Sequence, residues 1–189
     1  MKRSEFYWNS LGTIGLEHLI LQEASDGIQA DGFLIRCHNG SGLRLRYRID
    51  CDAKWRVRKL LVDCSCQSTN EVRLLANGNG RWFDVQGRPL DLLEGCIDVD
   101  VMATPFTNTL PLKRIGLSVG ESREIDVAYV EIPSLSLRRV AQRYTCLAQD
   151  NDTGRYLYES LNSDFKAELW VDDDQFVVRY PGLWERLNP

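Results

Sequence analysis

The chain has 189 residues, 43% hydrophobic and 26% charged, enough to bury a core and ordinary for a globular protein. Its net charge of −4 argues against nucleic acid as a partner, while leaving locally clustered arginines free to hold an anion. Ser4, Glu5, Asn9 and Ser10 interrupt the start, and no run approaches the ~18 apolar residues of a membrane helix; neither export signal nor transmembrane segment is expected, and the expected location is cytoplasmic.

Strand signals recur along the whole chain and helical ones are scarce. Gly15 to Glu23 and Ile28 to Cys37 are apolar segments divided by Ser25-Asp26-Gly27, the pattern of a hairpin. After the turn Asn39-Gly40-Ser41-Gly42, Leu43 to Asp50 alternates, with Leu43, Leu45, Tyr47 and Ile49 on one face and Arg44, Arg46 and Arg48 on the other. Beyond Cys51-Asp52-Ala53, the run Lys54 to Cys64 puts Trp55 and Val57 on the apolar face and Arg56 and Arg58 on the basic one. Paired as a hairpin, the two runs carry five guanidinium groups on one face. The alternation slips at Lys59-Leu60-Leu61, which suggests a bulge or a second buried face. Thr69 to Ala76 and Arg81 to Gln86 flank Asn77-Gly78-Asn79-Gly80, the strongest hairpin signal in the chain.

In Gly95 to Ile115, GCIDVDVMATPFTNTLPLKRI, the residues Ile97, Val99, Val101 and Ala103 form an apolar row. Cys96, Asp98, Asp100, Met102 and Thr104 form the opposite one. Pro105 and Pro111, which have no N–H for a ladder, leave Phe106 to Thr109 as a constrained, hydrogen-bond-rich segment. Glu124 to Ile132 reads as a strand. Leu137 to Leu147 reads as another, although Leu137, Val140, Ala141 and Tyr144 also fit a helical stripe. Gly154 to Leu161 puts Tyr156 and Tyr158 on one face, and Ala167 to Val171 with Phe176 to Tyr180 close the chain as a hairpin. Many short antiparallel strands without a linker or repeat predict an all-β fold: a single antiparallel β-barrel or half-barrel-like domain over residues 1–189, with little helix.

Few features carry chemistry on their own. The arginine row is either a solvated outer face interleaved with acids or a groove face whose counter-charges are Asp98, Asp100 or a bound anion. Asp98 and Asp100, two apart on one strand face, approach the lower end of the about 5 to 10 Å that separates glycosidase carboxylates. Strand carboxylates are more often salt-bridge partners. Six cysteines without paired CxxC spacing read as free thiols, and Asp172-Asp173-Asp174 lacks the spaced ligands of a calcium loop. No metal and no cofactor is expected. Five tryptophans and seven tyrosines fill a core and leave some rings to stack on sugar.

The run GCIDVDVMATPFTNTLPLKRI, preceded by YRIDCDAKWRVRKLLVD and followed by YVEIPSLSLRRVAQRYTCL and FVVRYPGLWERL, resembles the bacterial putative glycolipid-binding family. TPFTNTLP is the specific part of the likeness. The resemblance implies a single all-β, barrel-like fold similar to the periplasmic carriers that ferry lipoproteins, and binding of a glycolipid. The expected function is therefore non-enzymatic binding of a small amphipathic ligand with a polar or anionic head group. Acyl chains would lie against Ile97, Val99 and Val101. The expected ligand-binding residues are Arg46, Trp55, Arg58, Asp98, Asp100, Thr104, Asn108, Tyr144 and Tyr156, with the basic row and the two acids sharing one cavity. The alternatives are an enzyme acting on a sugar-containing or anionic small molecule through Asp98 and Asp100, and a ligand-free structural or dimerising β module.

Overall fold

Period-two alternation translates directly into strands in the computed structural model, which describes residues 1–38, 40–64 and 70–187. The N-terminal strands are β1 (Lys2–Ser10), β2 (Gly15–Ala24), β3 (Gly27–His38), β4 (Ser41–Asp52), β5 (Val57–Cys64), β6 (Asn70–Ala76) and β7 (Trp82–Phe83). The C-terminal ones are β8 (Asp98–Val101), β9 (Ser122–Val130), β10 (Leu137–Gln149), β11 (Thr153–Ser160), β12 (Lys166–Asp172), β13 (Val177–Tyr180) and β14 (Trp184–Leu187). They form one sheet in the order β7-β6-β5-β4-β3-β2-β1-β14-β13-β12-β11-β10-β9-β8. Asn39 of the first glycine-rich turn, and Cys66 among the cysteines expected as free thiols, lie outside the described residues. Cys37, Cys51, Cys96 and Cys146 are free thiols.

The sheet opens from the pairing of β1 with β14, where Trp8 faces Arg186, so the two halves of the chain spread to either side of that seam. Its edges are β7 and β8. They approach without a ladder between them: the Gly95 N–H donates to the Gly80 carbonyl at 2.8 Å, and the Trp82 indole donates to the Cys96 carbonyl at 2.7 Å. The result is a barrel-like sheet that is not closed.

The strand expected over Arg81 to Gln86 is only Trp82–Phe83, and β14 follows the hairpin expected to close the chain. Three further details differ from the sequence reading. The first is the β4–β5 hairpin, which pairs as expected with Tyr47 opposite Val62, but whose irregularity lies earlier than the predicted slip. Asp50 faces Lys59 and Cys51 faces Val57, so Arg58 is the extra residue of a bulge, and Leu60, Val62 and Cys64 regain the inner face beyond it. Trp55 precedes β5, in the turn, at φ 61°.

The second is β8, which pairs with β9 in parallel, Asp98 opposite Val127. A helical crossover returns the chain to the same end of the sheet, as a parallel pair requires. The third is that crossover itself, the proline-bracketed segment. Phe106–Asn108 is a 3-10 turn and α1 (Thr109–Ile115) continues it. Pro111 is tolerated because it sits in the first turn of α1, where a backbone N–H has no intrahelical partner. Gly116 then ends the helix at φ 63°, its N–H reaching the Leu112 carbonyl.

The segment plugs the curled sheet. Phe106, Leu110 and Leu112 are buried, and the Phe106 ring stacks on Tyr47 at 6.3 Å and on Phe176 at 6.5 Å. Val99 and Val101 belong to this closed core. Ile97 is only partly buried and lines a separate outer depression with Arg114. None of the three forms a channel for acyl chains.

Candidate functional site

At one end of the plug the inner face stays open, leaving a cavity of about 380 Å³ between the proline-bracketed segment and the C-terminal half of the sheet. Its floor begins with Asp100 on β8. The carboxylate accepts from the Gln142 amide at 2.6 Å and from the Thr107 hydroxyl at 3.2 Å. Behind it, the buried Tyr144 hydroxyl donates to the Asn108 Oδ1 at 3.0 Å, and the Asn108 amide donates to the Pro105 carbonyl. Burial raises the Asp100 pKa above the ordinary carboxylate value, and the Gln142 and Thr107 hydrogen bonds oppose that rise.

Tyr129 on β9, Tyr158 on β11 and Tyr180 on β13 form the walls, with Phe165 edge-on to Tyr158 at 6.0 Å and Trp184 completing the ring. Among the described residues none of these three tyrosine hydroxyls has a hydrogen-bond partner. Burial pushes Tyr129 up to about 12, and Tyr158 and Tyr180 are raised as well, with the charge of Asp100 adding to all three. They are therefore protonated at neutral pH and present three O–H donors near one carboxylate. Arg138 on β10 leans over the Tyr129 ring at 5.1 Å, with Glu131 4.0 Å from its guanidinium. Arg36 enters from β3.

Of the residues expected from sequence, the structure brings together Asp100, Thr104 and Asn108 at this cavity, with Tyr144 directly behind Asn108. It does not bring the others there. Arg46 is exposed and paired with Asp31 on β3 at 2.9 Å. Arg58 is exposed on its bulge, 3.8 Å from Asp52. The arginine row thus faces solvent, because the acids that interleave it come from β3 and from β4 itself rather than from β8. Trp55 packs against Phe176 and under the Lys113 ammonium, away from the cavity. Tyr156 lines a different depression, near Lys113 and Gln175. Asp98 is fully buried and held by Arg114, whose Nε donates to Oδ1 at 3.0 Å and Oδ2 at 3.1 Å and whose Nη2 donates to Oδ2 at 2.6 Å. It faces neither the arginine row nor the cavity.

Sequence reasoning missed Glu17, which is fully buried on the inner face of β2. Its Oε1 accepts from the Tyr47 hydroxyl and from the Thr104 hydroxyl, both at 2.6 Å, so it fastens the start of the plug to the sheet. Its Oε2 has no partner. Burial pushes the Glu17 pKa from 4.5 up to about 7, with the two hydrogen bonds opposing. A carboxyl that binds its proton more tightly when folded stabilises most below pH 4.5, and that contribution is lost as pH rises through about 7. Urea unfolding from acid to mildly alkaline pH should show wild type losing roughly 2–4 kcal/mol relative to Glu17→Gln. Parallel stability profiles of the two proteins would mean that Glu17 does not titrate in this window.

No curated protein is significantly similar to the chain. A crystal structure of a DUF1089 family protein from Pseudomonas aeruginosa is similar over 92% of both chains, with 38% identity and a TM-score of 0.81. The sequence profile described as "Putative glycolipid-binding" matches residues 5–186. That span runs from within β1 to within β14 and takes in all residues of the cavity, and the chain belongs to this putative glycolipid-binding family.

Proposed function

We propose that the protein is a non-enzymatic binding protein for an amphipathic ligand, a glycolipid, whose hydroxyl-bearing head group enters the cavity around Asp100. The observation that carries this reading is the set of unpartnered hydroxyls of Tyr129, Tyr158 and Tyr180 gathered near one carboxylate. Sheltered polar groups need partners, and a sugar accepts from phenols and donates to a carboxylate with the same hydroxyls. Aromatic faces beside those groups suit the apolar side of a sugar ring. The cavity volume of about 380 Å³ lies near the lower end of the ~300–1,000 Å³ of ligand pockets, a size for a head group rather than a whole lipid. Met102 and Phe165 line it while remaining 46% and 44% exposed, and so offer an apolar rim for the ligand's tail.

Two arrangements support binding over hydrolysis. Asp98 is sealed by Arg114, and Asp100 is the one acid among the described residues lining the cavity. Glycoside hydrolysis by paired carboxylates needs both within reach of the scissile bond. Incubation with a total bacterial lipid extract followed by native mass spectrometry tests the reading. A retained glycolipid, recovered unchanged on release, is the expected result. A bare chain, or a ligand released in cleaved form, would contradict it.

A further inference from the structure

Resting on that reading, we propose that the head group bound in the cavity is anionic, a sugar acid or a phosphate-bearing sugar, and that Arg36 is the residue that holds its charge. Arg36 is the last described member of the inward row of β3, following Ile28, Ala30, Gly32 and Leu34. Its guanidinium lies over the Trp184 ring at 5.6 Å, although β2 and β1 separate β3 from β14 in the sheet. Small residues make that reach possible. Gly15 on β2 is directly opposite Arg36, and a Cβ placed there would lie 3.1 Å from the Arg36 Cγ and 3.2 Å from the Ser10 Cβ. The long stem therefore lies across Gly15 and beside Ser10, and brings its head to the cavity wall.

The guanidinium that arrives there is without an acid. No carboxylate among the described residues forms an ion pair with Arg36, and its Nε is buried with no acceptor. Burial alone lowers its pKa, with no neighbouring acid acting in the other direction. The other cation of the cavity, Arg138, has Glu131 beside it, and Asp100 forms its contacts with the neutral donors Gln142 and Thr107 rather than with Arg36. An arginine fork stacked on an aromatic ring and lacking a counter-ion is suited to bidentate capture of a carboxylate or phosphate. Ser10, whose hydroxyl is also buried and unpartnered, borders Gly15 as the Arg36 stem does. Two arginines of β4, Arg46 and Arg48, differ by having an aspartate within 4 Å, and the third, Arg44, lies over the Phe33 ring but is exposed on the outer face rather than directed to a cavity.

Octyl β-D-glucuronide and octyl β-D-glucoside differ by one carboxylate, and their affinities by isothermal titration provide the test. Wild type should bind the glucuronide roughly 10- to 100-fold more tightly, the range of a charge-assisted hydrogen bond, and high salt should weaken that preference. Arg36→Gln should abolish the preference, its glucuronide affinity falling much further than its glucoside affinity, with thermal unfolding showing separately that the variant is folded. Arg36→Lys, with a point charge in place of the fork, should retain part of it. Equal binding of both probes by wild type would overturn the anionic assignment and leave the binding reading intact, whereas binding of neither would overturn both. Binding of inorganic phosphate alone as tightly as the glucuronide would overturn the assignment to a head group in favour of a free anion.

Discussion

Gly32→Ala is expected to cost roughly 3–5 kcal/mol, far more than one methyl group on a strand normally does. Gly32 on β3 is directly opposite Tyr47 on β4, and the Tyr47 ring lies flat across it to reach Glu17 on β2. A Cβ at Gly32 would overlap that ring. Displacing the ring forfeits packing and breaks the Tyr47 bond to Glu17, leaving a buried carboxyl with Thr104 alone. Because the clash is with the ring, the penalty should shrink sharply in a Tyr47→Leu background, a coupling that urea unfolding of the four proteins measures. An equal cost in both backgrounds would locate the penalty in the β3 backbone instead.

Asp98→Ala should be comparably damaging, about 3–5 kcal/mol, because it leaves the Arg114 guanidinium, itself mostly buried, without its counter-charge. Replacing both partners by apolar residues, Asp98→Leu with Arg114→Met, should recover most of the loss, since a buried pair contributes little net stability over well-packed hydrophobes. Thermal unfolding of the single and double variants separates these outcomes. A single variant that melts like wild type would show that the pair is not buried in solution.

What the sequence disclosed, and what it hid, follows from the range of each interaction. Alternation is local, so the hairpins around Ser25-Asp26 and Asn77 to Gly80 and the strand nature of Leu137 to Leu147 were all legible. The plug was not, because Pro105 and Pro111 read as strand breakers when their positions also suit the start of a helix. Of the two readings of the arginine row, the solvated face interleaved with acids holds; the placement of Arg46 and Arg58 at the ligand failed for want of one fact, the adjacency of β3 and β4, which supplies Asp31. Asp100, Thr104 and Asn108 were found because they belong to one continuous segment. The rest of the cavity comes from β3, β9, β10, β11, β13, β14 and the β11–β12 connection, which only the curvature of the sheet assembles. Two signals were nonetheless present. Glu17 shares its parity with Leu19 and Leu21, and Arg36 shares its parity with Ala30 and Leu34, so each is a charged residue continuing an inward apolar row. A charge in that position is costly unless it is used.

The most direct measurement is a comparison of where a neutral sugar-headed probe binds. Octyl β-D-glucoside would be titrated against wild type, against Tyr129→Phe/Tyr158→Phe/Tyr180→Phe, and against Arg46→Gln/Arg58→Gln. The tyrosine variant keeps the rings and removes only the three hydroxyls, so it should fold normally and bind roughly 10- to 100-fold more weakly. The arginine variant should bind like wild type, because its residues face solvent. Undiminished binding by the tyrosine variant, or a loss confined to the arginine variant, would contradict the placement of the site in the cavity.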